Sequence, residues 1–396
     1  MKLGRDLQRA VVLAPFFTLE GPASRPRMAA SALAQLMPVD VVTSDFDHGR
    51  KAKRENRQTE EFERIVYIRT MSYETNVGIR RLLSHVLFAL LASVYLIRNR
   101  KRYDIVYATA PLNLLAWLAF TLPGFSLRLI DVVDIWPDVL PFSPSQRRRF
   151  APIMTVWKWL FKSAVHKADA VMAVSDDFAC EAERYASKSA KIRRFYIGQK
   201  RLVPKVMKQP VFTIAYIGNI GHLYDFETLL DALEDHNLRA STQLFVIGKG
   251  DRRNWLLAEL ERRGIQHRYF GVVMEENRLS DILNSCHAGF NGYIRTSASF
   301  SYKAVTYLAA GLPLINSMTG DLERLVAQSG IGENYQRGNM QQLREGLLRL
   351  QRSDAEATRR RCERFFSAEL QADKVREDMA GFLATTLRKS FLHELR

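Results

Sequence analysis

Short apolar, β-branched runs alternate with longer helical patterns from one end of this chain to the other, and that rhythm limits its fold more than any other feature. Runs that are apolar throughout are strands buried on both faces, and a helix between successive strands is the connection that parallel pairing needs. In the first half the pattern predicts strands over 10–15, 39–44, 65–69, 105–109, 127–133 and 170–174, with helices near 27–37, 79–98, 112–122, 144–167 and 177–186. In the second it predicts strands over 212–217, 243–247, 268–270, 288–291 and 314–315, with helices near 226–235, 254–263, 277–284, 302–310 and 321–329. The fold class is α/β, two doubly wound parallel-sheet halves. A length of 396 residues suits two domains. A closing strand over 191–195 and an aperiodic stretch of Gly, Pro and Lys after it set the boundary. Residues 1–200 are read as one domain, 211–370 as the second, and 371–396 as a terminal helix packing back on the first.

Charge is uneven along that frame. Lys and Arg number 58 against 42 Asp and Glu, a formal +16. Residues 1–200 carry 31 basic and 19 acidic side chains, and residues 201–396 carry 27 and 23. The first domain is therefore the one that meets an anionic surface. Nucleic acid is excluded as the partner, because no recognition module or basic–aromatic repeat accompanies the charge. Apolar residues at 47% and charged ones at 25% exclude a disordered chain and a polytopic membrane protein. Cys180, Cys286 and Cys362 are far apart, which fits a reducing cytosol and neither a disulfide framework nor a zinc knuckle. The charged start and the short apolar run after it read as a first buried strand, not a secretory signal. Residues 82–97 are apolar apart from Ser84, His85 and Ser93 and are flanked by arginines. They fall short of the roughly twenty residues of a spanning helix. A buried crossover helix is the leading reading, with partial contact to a bilayer face as the alternative.

Ligands of open parallel sheets sit at the carboxyl ends of the strands, so the loops there hold the candidate residues. The loop after the first strand carries Glu20, Gly21 and Arg25. A glycine permits close approach to a ligand and the helix start attracts an anion; a plain connection is the other reading. Gly218, Asn219, Gly221 and His222 follow the first strand of the second half, two glycines three apart in a backbone cradle suited to phosphate. Gly248 and Gly250 repeat the arrangement one strand later, where a structural turn is the plainer reading. Arg295, Ser301 and Lys303 lie in a hydroxyl-rich approach to a helix, a setting for a diphosphate. Alternatively Ser301 caps the helix and Lys303 is solvated. Asp134, Trp136 and Asp138 end the fifth strand, either as a sugar platform or as an Asx turn with Trp136 in the core. Asp45 and Asp47 form a nominal D-x-D, but no His or Cys pair has ligand spacing, so no metal is expected.

Lys303 followed by Tyr307-Leu308-Ala309-Ala310-Gly311-Leu312-Pro313, the cradle at 218–221, Asp134-Ile135-Trp136-Pro137-Asp138 and the run at 168–175 together resemble the GT-B fold glycosyltransferases. The nearest type is family 4 of bacterial exopolysaccharide, capsule and O-antigen (lipopolysaccharide) assembly, which segments 43–48 and 73–76 also resemble. The resemblance implies two Rossmann-like domains facing across a cleft. It implies hexosyl transfer from a UDP- or GDP-linked nucleotide-sugar to a lipid-linked saccharide acceptor, with retention, without a metal, and with no cofactor besides that co-substrate. The leaving diphosphate takes the acceptor's proton, and the protein stabilises the charge that develops on it. On this reading Asp134, Arg295 and Lys303 are the catalytic candidates. Gly218, Asn219, Gly221, His222, Ser301 and Lys303 hold the donor's diphosphate, Gly271 and Val272 flank its base, Thr306 its ribose and Asp321 its sugar. Glu20, Gly21, Arg25, Trp136 and Asp138 meet the acceptor. The implied location is cytoplasmic, peripheral on the inner face of the cytoplasmic membrane, which is touched through 98–102, 147–149 and 157–162. Two departures stand out. Ala298 and Thr306 occupy the places of the family's usual pair of glutamates, and Asn219 and His222 those of a usual Arg and Lys. They favour the alternative, a non-catalytic GT-B scaffold of a polysaccharide assembly complex. A sugar-nucleotide epimerase shares the fold but needs an acid/base set that the sequence lacks.

Overall fold

The computed structural model describes residues 9–19, 24–75, 78–136, 143–203, 206–294 and 300–394. The chain folds as two compact units, Met1–Tyr196 with Val375–Arg396, and Ile197–Lys374. The sequence-based limits were 200, 211 and 371; the structure parts the chain after 196 and again after 374.

The strands of the first unit are β1 (Ala10–Leu13), β2 (Val39–Ser44), β3 (Phe46–Asp47), β4 (Ala52–Lys53), β5 (Arg64–Ile68), β6 (Ile105–Ala110), β7 (Leu127–Val132), β8 (Ala170–Ala173) and β9 (Lys191–Arg194). Its helices are α1 (Arg25–Ala34), α2 (Ile79–Asn99), α3 (Asn113–Thr121), α4 (Pro144–Arg149), α5 (Ala151–Lys167) and α6 (Asp176–Glu183). Seven strands form a parallel sheet in the order β5-β2-β1-β6-β7-β8-β9. Every residue of β1, β2, β6 and β8 is buried, as continuous apolar runs require. The small β3–β4 ladder was not foreseen, since two-residue strands carry no period to read. The helix expected over 144–167 is two helices, broken at Phe150, which leaves the helical region at ψ 6°.

One expectation is corrected in part in this unit. α2 crosses over between β5 and β6, but it is buried on one face only. Ser84, His85, Phe88, Ala89, Ala92, Ser93 and Leu96 are its buried residues, whereas Ile79, Leu83, Leu90, Leu91, Val94 and Ile97 face out. Its larger aliphatic side chains therefore lie on the solvent side, the reverse of an ordinary amphipathic helix. Length and composition alone would let α2 cross a membrane, though 39% of its apolar window is buried here.

The second unit contains β10 (Phe212–Asn219), β11 (Thr242–Lys249), β12 (Gln266–Gly271), β13 (Ala288–Asn291), β14 (Leu314–Asn316) and β15 (Gly332–Asn334). Its helices are α7 (Phe226–Leu233), α8 (His236–Ser241), α9 (Arg253–Arg262), α10 (Glu276–Asn284), α11 (Tyr302–Ala309), α12 (Asp321–Ser329), α13 (Met340–Arg352) and α14 (Ala355–Glu369), and α15 (Ala372–Glu394) follows. The sheet is again parallel, in the order β12-β11-β10-β13-β14-β15. Both units thus have their first strand inside the sheet and helical crossovers between strands, the doubly wound arrangement. β15 escaped the sequence reading because Gly-Glu-Asn, half-buried, has no apolar signal. The tail beyond Leu343 is three helices, with Asp354 capping the second through the Glu356 and Ala357 N–H groups.

Candidate active site

The carboxyl edge of the second sheet brings together most of the residues expected to bind a donor. β10 and β11 run in register to their last residues, Gly218 beside Gly248 and Asn219 beside Lys249. Both glycines have positive φ, 128° and 137°. A Cβ on Gly248 would lie 1.9 Å from the Gly218 carbonyl oxygen, so the two turns touch only because neither carries a side chain there. A Cβ on Gly218 would meet Lys303 Cδ at 3.3 Å. The lysine stem thus lies along the glycine turn, as the resemblance implied by placing both at one diphosphate.

The surroundings of the Lys303 amine were not anticipated. Lys303 follows the N-cap Ser301 in α11 and is only 9% exposed. Its Nζ lies 3.4 Å from the ring centre of Tyr224, 4.5 Å from that of Tyr293 and 4.8 Å from that of Tyr216. It has no hydrogen-bond partner among the described residues. Burial pushes its pKa well below the usual lysine value. Ring faces oppose that shift, since each cation–π contact is worth about 0.5–2 kcal/mol to the charged form. The loops bearing Tyr224 and Tyr293 are pinned together: these two residues form an isolated antiparallel bridge, Asp225 N–H donates to the Gly292 carbonyl at 3.3 Å and Ile294 N–H to that of Leu223 at 2.9 Å.

A row of asparagines ends the three neighbouring strands. Asn291, Asn316 and Asn334 occupy one register across β13, β14 and β15 and bond side chain to side chain at 2.8 Å in each step. Ser301 Oγ donates to Asn291 Oδ1 at 2.9 Å and receives the Ala304 N–H at 3.4 Å, so the expected cap is present. A cavity of about 800 Å³ opens over these strand ends, lined by Tyr293, Asn316, Tyr335, Arg337 and Arg349 among others. That is the size of a small-molecule site, and none of its lining residues was a sequence candidate.

Other donor candidates divide. Gly271, at φ 67°, ends β12, and Val272, half exposed, follows it. Asn219 is exposed at the tip of β10. His222 stands in solvent beside Asp251 at 3.7 Å. A Cβ on Gly221 would lie 2.6 Å from Asn219 Nδ2. Thr306 Oγ1 is engaged with Gln199 Oε1 at 3.1 Å and the Tyr302 carbonyl at 3.0 Å. The assignment of Asp321 to the sugar is corrected: its side chain is buried in the first turn of α12 and paired with Arg324. Arg295 lies outside the described residues.

In the first unit the assignment of Arg25 to the acceptor is also corrected. Arg25 is 2% exposed, and its guanidinium donates to both Asp131 oxygens, at 2.7 and 3.1 Å, and to the carbonyls of Phe195, Tyr196 and Ala173. Tyr107 donates to the same Asp131 at 2.8 Å. Nothing of the guanidinium remains for a ligand. Glu20, Gly21 and Asp138 lie outside the described residues. Asp134 and Trp136 form a turn of their own, in which Asp134 accepts the Ile135 N–H and the Trp136 indole N–H, both at 3.0 Å. Burial raises the Asp134 pKa, opposed by those bonds and by Arg81.

Around that turn stands a cluster that sequence reasoning did not assemble. Arg81 stacks over Trp136 at 5.1 Å and Phe16 at 5.8 Å. His48 Nδ1 bonds the Tyr73 hydroxyl at 2.8 Å, and Lys51 lies over the Tyr73 ring at 5.0 Å. His85 is buried among Phe16, Tyr73 and Trp136 with neither ring nitrogen partnered. Burial, then Arg81, holds both imidazoles neutral, His48 with a pKa of about 4 and His85 of about 3. The only sequence signals for it were His48 beside the D-x-D and the polar His85 inside an apolar helix.

Comparison with known proteins fits this architecture. Residues 203–365 match the family Glycosyl transferases group 1. No curated protein sequence matches the chain. Among solved structures, sucrose-phosphate synthase from Thermosynechococcus elongatus superposes with a TM-score of 0.69 at 15% identity, covering 96% of this chain and 100% of its own. HepE of Anabaena in complex with UDP gives 0.64 at 14%, over 95% and 100%. WaaG, a glycosyltransferase involved in lipopolysaccharide biosynthesis, gives 0.62 at 14%, over 94% and 98%. With its two doubly wound parallel sheets the chain has the GT-B fold of these structures, and its second unit carries the match to the family Glycosyl transferases group 1.

Proposed function

We propose that this protein transfers a hexose from a UDP- or GDP-linked donor to a lipid-linked saccharide in bacterial surface polysaccharide synthesis (lipopolysaccharide, capsule or exopolysaccharide), with retention and without a metal. The observation that carries the reading is the buried Lys303 amine beside the side-chain-free turns at Gly218 and Gly248. Backbone N–H groups and one lysine charge suit a leaving diphosphate. HepE has been crystallised with UDP-glucose, and a donor of that class is assigned here by analogy of fold. Asn219 follows Gly218 at that turn, Ser301 caps the helix that carries Lys303, and the turn at Asp134 and Trp136 is assigned to the acceptor.

The protein works in the cytoplasm, on the anionic inner face of the membrane, docked by its first unit. The outward aliphatic face of α2 supports this, together with exposed Ile153, Val156 and Trp159 on α5 and the exposed cations Arg98, Lys101, Arg102 and Lys158. Apolar side chains bordered by Lys and Arg are what an interfacial surface presents to anionic lipid.

Calorimetric titration with UDP, GDP, ADP and TDP tests the donor site, and turnover of the matching nucleotide-sugar tests the reaction. Selective binding of one nucleotide with turnover sustains the proposal. Binding without turnover on any lipid-linked acceptor favours the non-catalytic scaffold, for which Thr306 is the supporting residue: its hydroxyl is already engaged with Gln199. No nucleotide binding sinks the donor assignment.

A further inference from the structure

A buried lysine ordinarily has a carboxylate or several carbonyls around its amine. Lys303 has three tyrosine faces instead. The tyrosine hydroxyls are committed elsewhere: Tyr216 to the Asn219 carbonyl, Tyr293 to Ser301 Oγ at 3.3 Å, and Tyr224 to the Tyr293 hydroxyl. Tyr307 on the same helix receives the Ile217 N–H at 2.9 Å and donates to the Phe290 carbonyl at 3.2 Å. Only ring faces are therefore turned to the amine. At the glycine turn His222 and Asp251 are exposed and face each other at 3.7 Å. Burial lowers the Lys303 pKa and so disfavours its charged form.

Resting on the donor-site reading above, we propose that Tyr216, Tyr224 and Tyr293 are positioning residues. They form a cation cage that keeps Lys303 charged and uncompensated beside the glycine turn until the donor's diphosphate takes its place as counter-ion. A carboxylate in the cage would neutralise the lysine in the free protein and repel the diphosphate on arrival. Neutral ring faces do neither, and their attraction for the ammonium opposes the discharge that burial alone favours. The pinned loops hold the rings in place without any help from ligand.

The test is UDP affinity of the full chain by calorimetry from pH 7.5 to 9, where the diphosphate is fully ionised. Wild type, Tyr224→Leu, Tyr224→Phe and Lys303→Met are compared. Lys303→Met reports the pH dependence that belongs to UDP itself. Wild-type affinity is expected to exceed that of Tyr224→Leu by about ten-fold at the upper end, as the loss of one buried cation–π contact implies. Tyr224→Phe, which keeps the face and loses the hydroxyl, is expected to follow wild type. Superimposable profiles for wild type and Tyr224→Leu, or equal damage from Phe and Leu, overturn the cage. If Tyr224→Leu fails to fold, the Tyr293→Leu and Tyr293→Phe pair asks the same question. The Lys303 Cε resonance of the nucleotide-free protein supplies a second readout. Its titration midpoint is expected to drop in Tyr224→Leu and recover in Tyr224→Phe, and an unchanged midpoint overturns the cage even where no nucleotide binds. The cage and the donor site therefore fail separately.

Discussion

Arg25 in the first unit and Lys303 in the second are both buried cations at the carboxyl edge of a parallel sheet, and their surroundings are opposites. Arg25 spends its donors on Asp131 and three backbone carbonyls, and Tyr107 completes the carboxylate. Among the described residues Lys303 has neither counter-ion nor acceptor. By the sequence both were ligand contacts. The difference shows that a buried cation becomes structural once its hydrogen bonds are complete, and stays open to a ligand when only its desolvation is offset.

Arg25→Met is the severest way to sharpen that contrast. It leaves Asp131 buried and unpaired, so the urea midpoint should show a loss of about 3–5 kcal/mol. Retention of most stability would mean that the pair contributes little. Lys303→Met should do the converse. It keeps the apolar stem and removes a desolvated charge, so stability holds or rises while UDP affinity falls by about 1.5–3 kcal/mol, as for a charged hydrogen bond. A destabilised Lys303→Met protein would place this lysine with Arg25.

Acid offers a third comparison. His48 and His85 have pKa values depressed below the unfolded 6.5, so their neutral forms support folding above that pH and the support is lost as pH falls toward 4 and 3. His85→Phe should remove at most one proton from that dependence, about 1.4 kcal/mol per pH unit. An unaltered acid limb of the stability curve would show that His85 does not titrate on unfolding. The smallest effect on stability is expected at Leu90, half exposed on α2. Leu90→Ser should shift the midpoint by less than about 0.5 kcal/mol yet reduce sedimentation with anionic vesicles, and unchanged vesicle binding would remove α2 from the membrane face.

The doubly wound frame was legible because buried parallel strands must be continuously apolar, and 39–44 and 288–291 were placed to the residue. β15 was not, since three half-buried polar residues pair by backbone alone. At the site, glycine spacing pointed to 218–221 and motif position to Lys303. The tyrosine faces did not announce themselves, because Tyr216, Tyr224 and Tyr293 read singly as ordinary loop and strand aromatics and converge only in three dimensions. Arg25 and Asp321 misled for the same reason: charge at a strand or helix end says nothing about whether a partner, Asp131 or Arg324, is already waiting. α2 misled differently, for an apolar run signals contact with something apolar, and only the packing tells which face is left over.

The asparagine row has a direction. Ser301 gives a proton to Asn291, Asn291 to Asn316, Asn316 to Asn334, and Asn334 to the Glu323 carbonyl. Every amide points the same way, and turning one alone would set two N–H groups or two oxygens face to face. The polarity is anchored at backbone groups that cannot turn: the Glu323 carbonyl at the end of the row and, in its middle, Met318, whose N–H donates to Asn316 Oδ1 at 3.2 Å and whose carbonyl accepts from Asn316 Nδ2 at 2.9 Å. The hydroxyl at the head of α11 is thus oriented from two strands away, through Asn291 and Asn316, and an exchange at Asn316, remote from the lysine, would be felt there as a rotation of Ser301.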